Sequence, residues 1–206
     1  MKKLFLILFA LLSAHAANPY YMNKLSQFEM LEGQKMSIMM QGDSITDWGL
    51  WSELTGRSDI VNRGIAGDTT DGLLKRMDIL NPGIRQVFIM IGINDILQGE
   101  EPEHIFDNYR KILAFYQKKG ITPFIQSTLY VGKNSPPELN RKVTVLNRML
   151  KEFARQQDMT FIDLTPILCP HGELESRFTY DGLHLNGEAY RLWADAIAKY
   201  FVPQAK

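Results

Sequence analysis

The chain has 206 residues, with 23 Lys and Arg against 23 Asp and Glu and a single cysteine, Cys169. Balanced charge excludes the basic surface that nucleic acid or an anionic membrane face requires. One cysteine excludes an internal disulfide and a cysteine-built structural zinc site, so an apolar core must hold the fold.

The first segment reads as a targeting signal. Met1-Lys2-Lys3 is a short basic start, residues 4–12 are unbroken apolar, and Ala14-His15-Ala16 has the small-x-small form that signal peptidase reads. The apolar run is about half of the ~20 residues a membrane span needs. A signal peptide over 1–16, cleaved after Ala16, is therefore expected, followed by one domain over 17–206. This predicts export to the periplasm or the extracellular space without stable membrane insertion. Losing Lys2 and Lys3 leaves 21 basic residues against 23 acidic ones. Residues 17–34 are expected to form a helix over one edge or face of the domain.

Short apolar runs then alternate with longer amphipathic ones. Residues 35–41 (KMSIMMQ), 59–62 (DIVN), 86–91 (QVFIMI), 121–127 (ITPFIQS) and 159–162 (MTFI) read as strands, with Pro123 arguing against the fourth. Helical spacing of apolar residues covers 69–80, 102–119, 137–157 and 186–201. Such alternation predicts an α/β fold with a parallel sheet and helices on both faces. Ligands of such sheets bind beyond the carboxyl ends of the strands. Three unusual polar stretches follow strands: GDSIT at 42–46, RGIAGDTT at 63–70 and GINDI at 92–96. They are predicted to meet at one sheet edge.

Ser44 in the first stretch is either a polar turn residue or a nucleophile. A nucleophilic serine needs a base and an orienting acid. After signal removal three histidines remain: His104, His171 and His184. His104 sits among glutamates at a helix start and reads as surface. His171 lies in a Pro/Gly turn and stays ambiguous. His184 follows Asp181 by three residues, with Gly182 allowing a sharp turn, so the carboxylate can bond Nδ1–H and leave Nε2 for Ser44; a helix-entry turn with a local polar pair is the alternative. Oxyanion donors can come from the Ser44 N–H, from Gly67, where glycine permits close backbone approach, and from the Asn94 amide. GDSIT is not the G-x-S-x-G elbow, since Thr46 takes the last position. GIAGDTT can cradle an anion, yet no P-loop Lys follows it.

Gly42-Asp43-Ser44-Ile45, Gly67 within GIAGDTT, Gly92-x-Asn94-Asp95 and Asp181-x-x-His184 together resemble the ordered blocks of the SGNH (GDSL-type) serine hydrolases. They run from residue 42 to residue 184, nearly the whole domain. The resemblance implies a flavodoxin-like three-layer α/β/α sandwich with a five-stranded parallel sheet. It implies Ser44 as nucleophile, His184 as base, Asp181 as its orienter, Ser44, Gly67 and Asn94 as oxyanion donors, and no metal or other cofactor. The wording is most similar to the short single-domain branch, with carbohydrate O-acetylesterases and acetylhydrolases of platelet-activating-factor type. The expected partner is a small-molecule or glycan ester. Trp48 and Trp51 can stack on a sugar ring or pack the first helix onto the core. A lipid esterase or thioesterase of the same family, or a silent carbohydrate-binding module, are the competing readings.

Overall fold

The computed structural model describes residues 18–204; the expected signal peptide lies outside them. Five strands form one parallel sheet in the order β2-β1-β3-β4-β5, with β1 Ile38–Gly42, β2 Ile60–Gly64, β3 Gln86–Met90, β4 Thr122–Gln126 and β5 Thr160–Ile162. β1 and β3 are buried along their whole length, as continuous apolar runs in a doubly covered sheet should be. Pro123 is tolerated inside the sheet because β5 begins pairing only at Phe124, so β4 has no neighbour on that side at the proline.

The helices are α1 Pro19–Met30, α2 Ser44–Asp47, α3 Trp51–Thr55, α4 Thr70–Leu74, α5 Ile93–Leu97, α6 Pro102–Lys118, α7 Pro137–Gln156, α8 Thr165–Leu168 and α9 Gly187–Ala198. The chain leaves β1 in one direction to reach β2, and from β3 onward moves the other way. Right-handed crossovers then put α3 on one face and α6 and α7 on the other. α3 packs with α9, and α6 packs with α4 and α7. The result is the flavodoxin-like three-layer sandwich, with its switch point between β1 and β3. Cys169 is buried, and burial pushes its thiol up to about 12, as befits a small apolar core residue.

One helix is shorter than its spacing predicts. Residues 69–80 form α4 only to Leu74; Arg76 and Ile79 then donate to carbonyls three residues back, at Leu73 and Arg76. The chain tightens there because Arg76 turns inward. Its Nε meets Asp68 Oδ2 at 2.7 Å, Nη1 donates to the Arg63 carbonyl at 2.7 Å, and Nη2 donates to the Gly42 carbonyl at 3.0 Å. The apolar spacing survives the change: Leu73 is buried, and Leu74, Met77 and Leu80 pack against the core.

Arg76 and Asp68, at 3 % and 0 % exposure, tie the ends of β1 and β2 to the loop that follows β2. Two further acids lie buried in the same region. Asp95 accepts from the Thr70 main chain at 3.0 Å and from its hydroxyl at 2.5 Å, joining the ends of β3 and β2; burial raises its carboxyl to about 6. Asp43 accepts from Ile45 N at 3.0 Å through Oδ1, while Oδ2 has no hydrogen-bond partner among the described residues. Burial, with added repulsion from Asp68 and Asp95, pushes Asp43 up to about 8 against the Ile45 bond.

Two stability predictions result. Replacing Arg76 with Met takes the counter-charge from the buried Asp68, so unfolding free energy should fall by roughly 3–5 kcal/mol; adding Asp68→Asn should recover part of it in denaturant titrations. For Asp43, the folded pKa lies above the unfolded one, so between about pH 4 and 8 the folded chain binds more protons and stability falls as pH rises. Asp43→Asn keeps the acceptor for Ile45 and removes the ionisation. Its melting temperature, measured from pH 5 to 9, should decline less steeply than that of the wild type.

Candidate active site

Ser44 is the first residue of α2, immediately past the end of β1, and 5 % exposed. Asp43 caps this helix, bracing the turn that lifts Ser44 from the strand. As first helical residue, Ser44 has a main-chain N–H with no acceptor inside the helix. Trp51 Nε1 donates to the Thr46 carbonyl at 2.9 Å, and Asn62 Nδ2 donates to the carbonyls of Thr46, Asp47 and Gly49 at 2.9–3.1 Å. The end of α2 is thereby pinned to β2. Gly64 makes this close approach possible, since a Cβ there would lie 2.3 Å from Asp47 N.

His184 reaches Ser44 from the far end of the sequence: its Nε2 is 3.0 Å from Ser44 Oγ and its Nδ1 is 2.6 Å from Asp181 Oδ2. Asp181 Oδ1 also accepts the main-chain N–H groups of His184 at 2.8 Å and Leu183 at 2.9 Å. Partial burial pushes the Asp181 carboxyl up, but the bonds from the His184 ring and from the two main-chain groups outweigh it and bring it to about 2. It is a carboxylate at any ordinary pH. The loop is set by a bridge between Thr179 and Leu185, by Gly182 N donating to Thr179 Oγ1 at 2.9 Å, and by Gly132 N donating to the Gly182 carbonyl at 2.7 Å.

The other two histidines lie elsewhere. His171 sits exposed in its turn, and His104 pairs with Asp71 at 3.1 Å. The ambiguity over which histidine meets Ser44 is resolved by distance in favour of His184.

Residues 65–68 form the turn after β2. Ile65 N donates to the Gly42 carbonyl at 3.1 Å, and Asp68 N closes the turn on the Ile65 carbonyl at 3.1 Å. Gly67 stands third, with φ +80°, and is exposed; this is the type II geometry that favours glycine. Asn94, the second residue of α5, donates from Nδ2 to the Asp68 carbonyl at 2.9 Å. Its amide therefore sits one residue from Gly67, with a second N–H still to give. Ser44, Gly67 and Asn94 thus stand at the ends of β1, β2 and β3, around the sheet's switch point.

The two tryptophans part ways. Trp51 is 2 % exposed and packs edge-on against Trp193, at 4.6 Å between centroids. Trp48 is 51 % exposed and stacks on the His184 ring at 3.9 Å and 24°. Among the described residues, no group of three or more His, Cys, Asp or Glu is arranged to hold a metal ion, and no helix is long and apolar enough to cross a membrane. Sequence reasoning missed Arg76 and Asp47; nothing in the spacing of a helix marks one arginine as inward-facing.

The chain is 26% identical over 178 residues to an N-acylneuraminate cytidylyltransferase of Streptococcus agalactiae, covering 82% of this chain and 41% of that one. It thus spans about two fifths of the length of that relative. It is 25% identical over 209 aligned positions to an isoamyl acetate-hydrolyzing esterase of Saccharomyces cerevisiae, covering 81% and 87%. Its fold matches a catalytic mutant of an acetylxylan esterase from Geobacillus stearothermophilus with a TM-score of 0.67 and 18% identity, covering 81% and 94%. A family model described as the GDSL-like Lipase/Acylhydrolase family matches residues 40–192, a stretch that holds every block from Gly42 to His184, and the chain belongs to that family.

Proposed function

We propose that this protein is an exported serine esterase that removes acetyl groups from carbohydrate hydroxyls. The observation that carries the acyl chemistry is the relay from Asp181 Oδ2 through His184 to Ser44 Oγ, at 2.6 and 3.0 Å. Such a relay lets Nε2 take the hydroxyl proton as Oγ attacks an ester carbonyl. The tetrahedral oxyanion is held by the main-chain N–H groups of Ser44 and Gly67 and by the Asn94 amide. His184 then passes its proton to the leaving alcohol, and water repeats the sequence on the acyl-Ser44 ester, releasing the acid. Asp181 orients the ring and balances the imidazolium without taking the proton.

Three further observations support the substrate and the location. Trp48 keeps one face on His184 and remains half exposed, so its outer side is available for the apolar face of a sugar ring. The yeast relative is named for hydrolysing an acetate ester, and the streptococcal one for an N-acylneuraminate, an acylated sugar acid. The basic, apolar and small-residue order of residues 1–16 supports export.

The test uses purified protein beside Ser44→Ala. Acetate release is followed from acetylated sialic acid and acetylated xylan fragments, with p-nitrophenyl acetate and octanoate as chain-length controls. Ser44-dependent deacetylation of a sugar with little octanoate turnover is the expected result. Octanoate cleavage with inert sugars would move the substrate to lipids or thioesters. Equal rates for the two proteins on every ester would remove Ser44 as nucleophile. Within the relay, Asp181→Asn should lower kcat about 10⁴-fold. Asn94→Ala should lower it about 10²–10³-fold with KM little changed.

A further inference from the structure

The helix α1, Pro19–Met30, lies outside the residues that the family model matches. It is nevertheless wired to the site. Its Lys24 Nζ meets Asp47 Oδ1 at 2.6 Å, and its Tyr20 hydroxyl donates to Asp47 Oδ2. The same Oδ2 accepts the main-chain N–H of Ala66 at 3.2 Å. The Asp47 side chain is 2 % exposed, so its carboxylate is held by these partners and not by bulk water. Asp47 is the last residue of α2, the helix that Ser44 begins, and Ala66 directly precedes Gly67. A second contact acts on the same turn: Tyr21 and Phe28 of α1 enclose Ile65 in a small apolar cluster separate from the main core.

From this geometry we propose that α1 is a positioning element of the esterase, acting through Asp47 to fix the turn that presents Gly67. Two residues of α1 hold the Asp47 carboxylate, and the carboxylate holds the leading peptide of the turn. The orientation of the Ala66–Gly67 peptide decides where the Gly67 N–H points, because the two common turn types differ by a flip of that peptide. The Ala66 N–H bound at one end and the Asp68 N–H closing the turn at the other anchor both ends of this peptide, and its setting goes with Gly67 at φ +80°. Partial burial, then hydrogen bonding to Asp47, pushes the Tyr20 hydroxyl up to about 12, so it stays a donor throughout the working range.

This inference rests on the reading of Gly67 as an oxyanion donor, and the experiment separates the two. Asp47→Asn keeps the shape of the side chain but replaces one acceptor oxygen with an amide donor. Tyr20→Phe with Lys24→Met removes both supports and leaves Asp47 in place. On p-nitrophenyl acetate, each variant is expected to lose about 10- to 100-fold in kcat with KM within about twofold, the mark of a displaced group and not of lost binding. Circular dichroism and melting curves establish that the variants are folded, and hydrogen exchange at the Ala66 amide should quicken in both. Gly67→Ala supplies the cycle: a Cβ there meets open space, but φ +80° strains it, so the turn itself is altered. If α1 works through this turn, adding Asp47→Asn to Gly67→Ala should cost little more than Gly67→Ala alone. Unchanged kcat in folded Asp47→Asn, or losses that multiply in the double variant, overturns the proposal while Ser44→Ala remains inactive. Full activity of Ser44→Ala would overturn the esterase reading itself, and this inference with it.

Discussion

β1 and β2 run parallel and end side by side, and one arginine, Arg76, donates to a carbonyl near the end of each. It is buried, its charge is met by Asp68, and it donates as well to the Gly42 and Arg63 carbonyls at the ends of β1 and β2. A buried ion pair is weak evidence for net stability, since an apolar pair of like volume can serve as well. An apolar pair has no donors for strand-end carbonyls, however. The pair fixes where β1 stops and where the turn after β2 begins, and Ser44 and Gly67 take their places from those two points. Asp95 makes the link toward β3 with the opposite polarity, accepting from the main chain and hydroxyl of Thr70 at the start of α4.

Ser44, Gly67 and Asn94 were legible in the sequence because each lies in a stretch that follows a strand, and the ends of parallel strands share one edge. Ser44 and Asn94 needed only strand assignments to be put near one another. His184 was harder, since 140 residues separate it from Ser44: the Asp181-x-x-His184 spacing left a helix-entry turn as the alternative, and the resemblance to the ordered SGNH blocks supplied the assignment. What stayed hidden depends on direction and not on spacing. The 69–80 segment has the apolar period of a helix, yet Arg76 faces inward and the last turns tighten around it. Trp48 and Trp51 stand three apart, which on one continuous helix would give them a shared face. The chain breaks between α2 and α3 instead, so one becomes core and the other covers the histidine. The role of α1 was equally invisible: Tyr20 and Lys24 carry no motif, and only tertiary structure brings them to Asp47.

The His184 loop shows how an exposed segment can hold a ring in one orientation. Asp181 is the more exposed member of the pair, with a side chain at 52 % against 19 % for His184. An isolated ion pair at such exposure contributes little to stability. Here the carboxylate is fixed by two main-chain N–H groups of its own turn before it meets the imidazole, so its position costs little side-chain entropy. Trp48 closes one face of the ring, and Ser44 takes its outer nitrogen. The ring is thus constrained at both nitrogens and on one face, with no cover over the site required to hold it.

The unpaired acid beneath the nucleophile has a place in the same logic. Asp43 adjoins Ser44 and is wholly buried, and burial holds its carboxyl near 8. Were it ionised at neutral pH, a negative charge would stand in a poorly screened environment next to the point where, on the proposed mechanism, an oxyanion develops. As a neutral acid it still accepts from Ile45 N–H and shapes the turn, without opposing that charge. Asp68 escapes the same problem differently, by ion pairing with Arg76, and Asp95 by accepting from Thr70 twice over. Three carboxyls crowded behind one serine are therefore tolerable on different terms: one paired, one hydrogen-bonded and one neutral. The neutral one is the acid placed directly beside the nucleophile, where a charge would do the most harm.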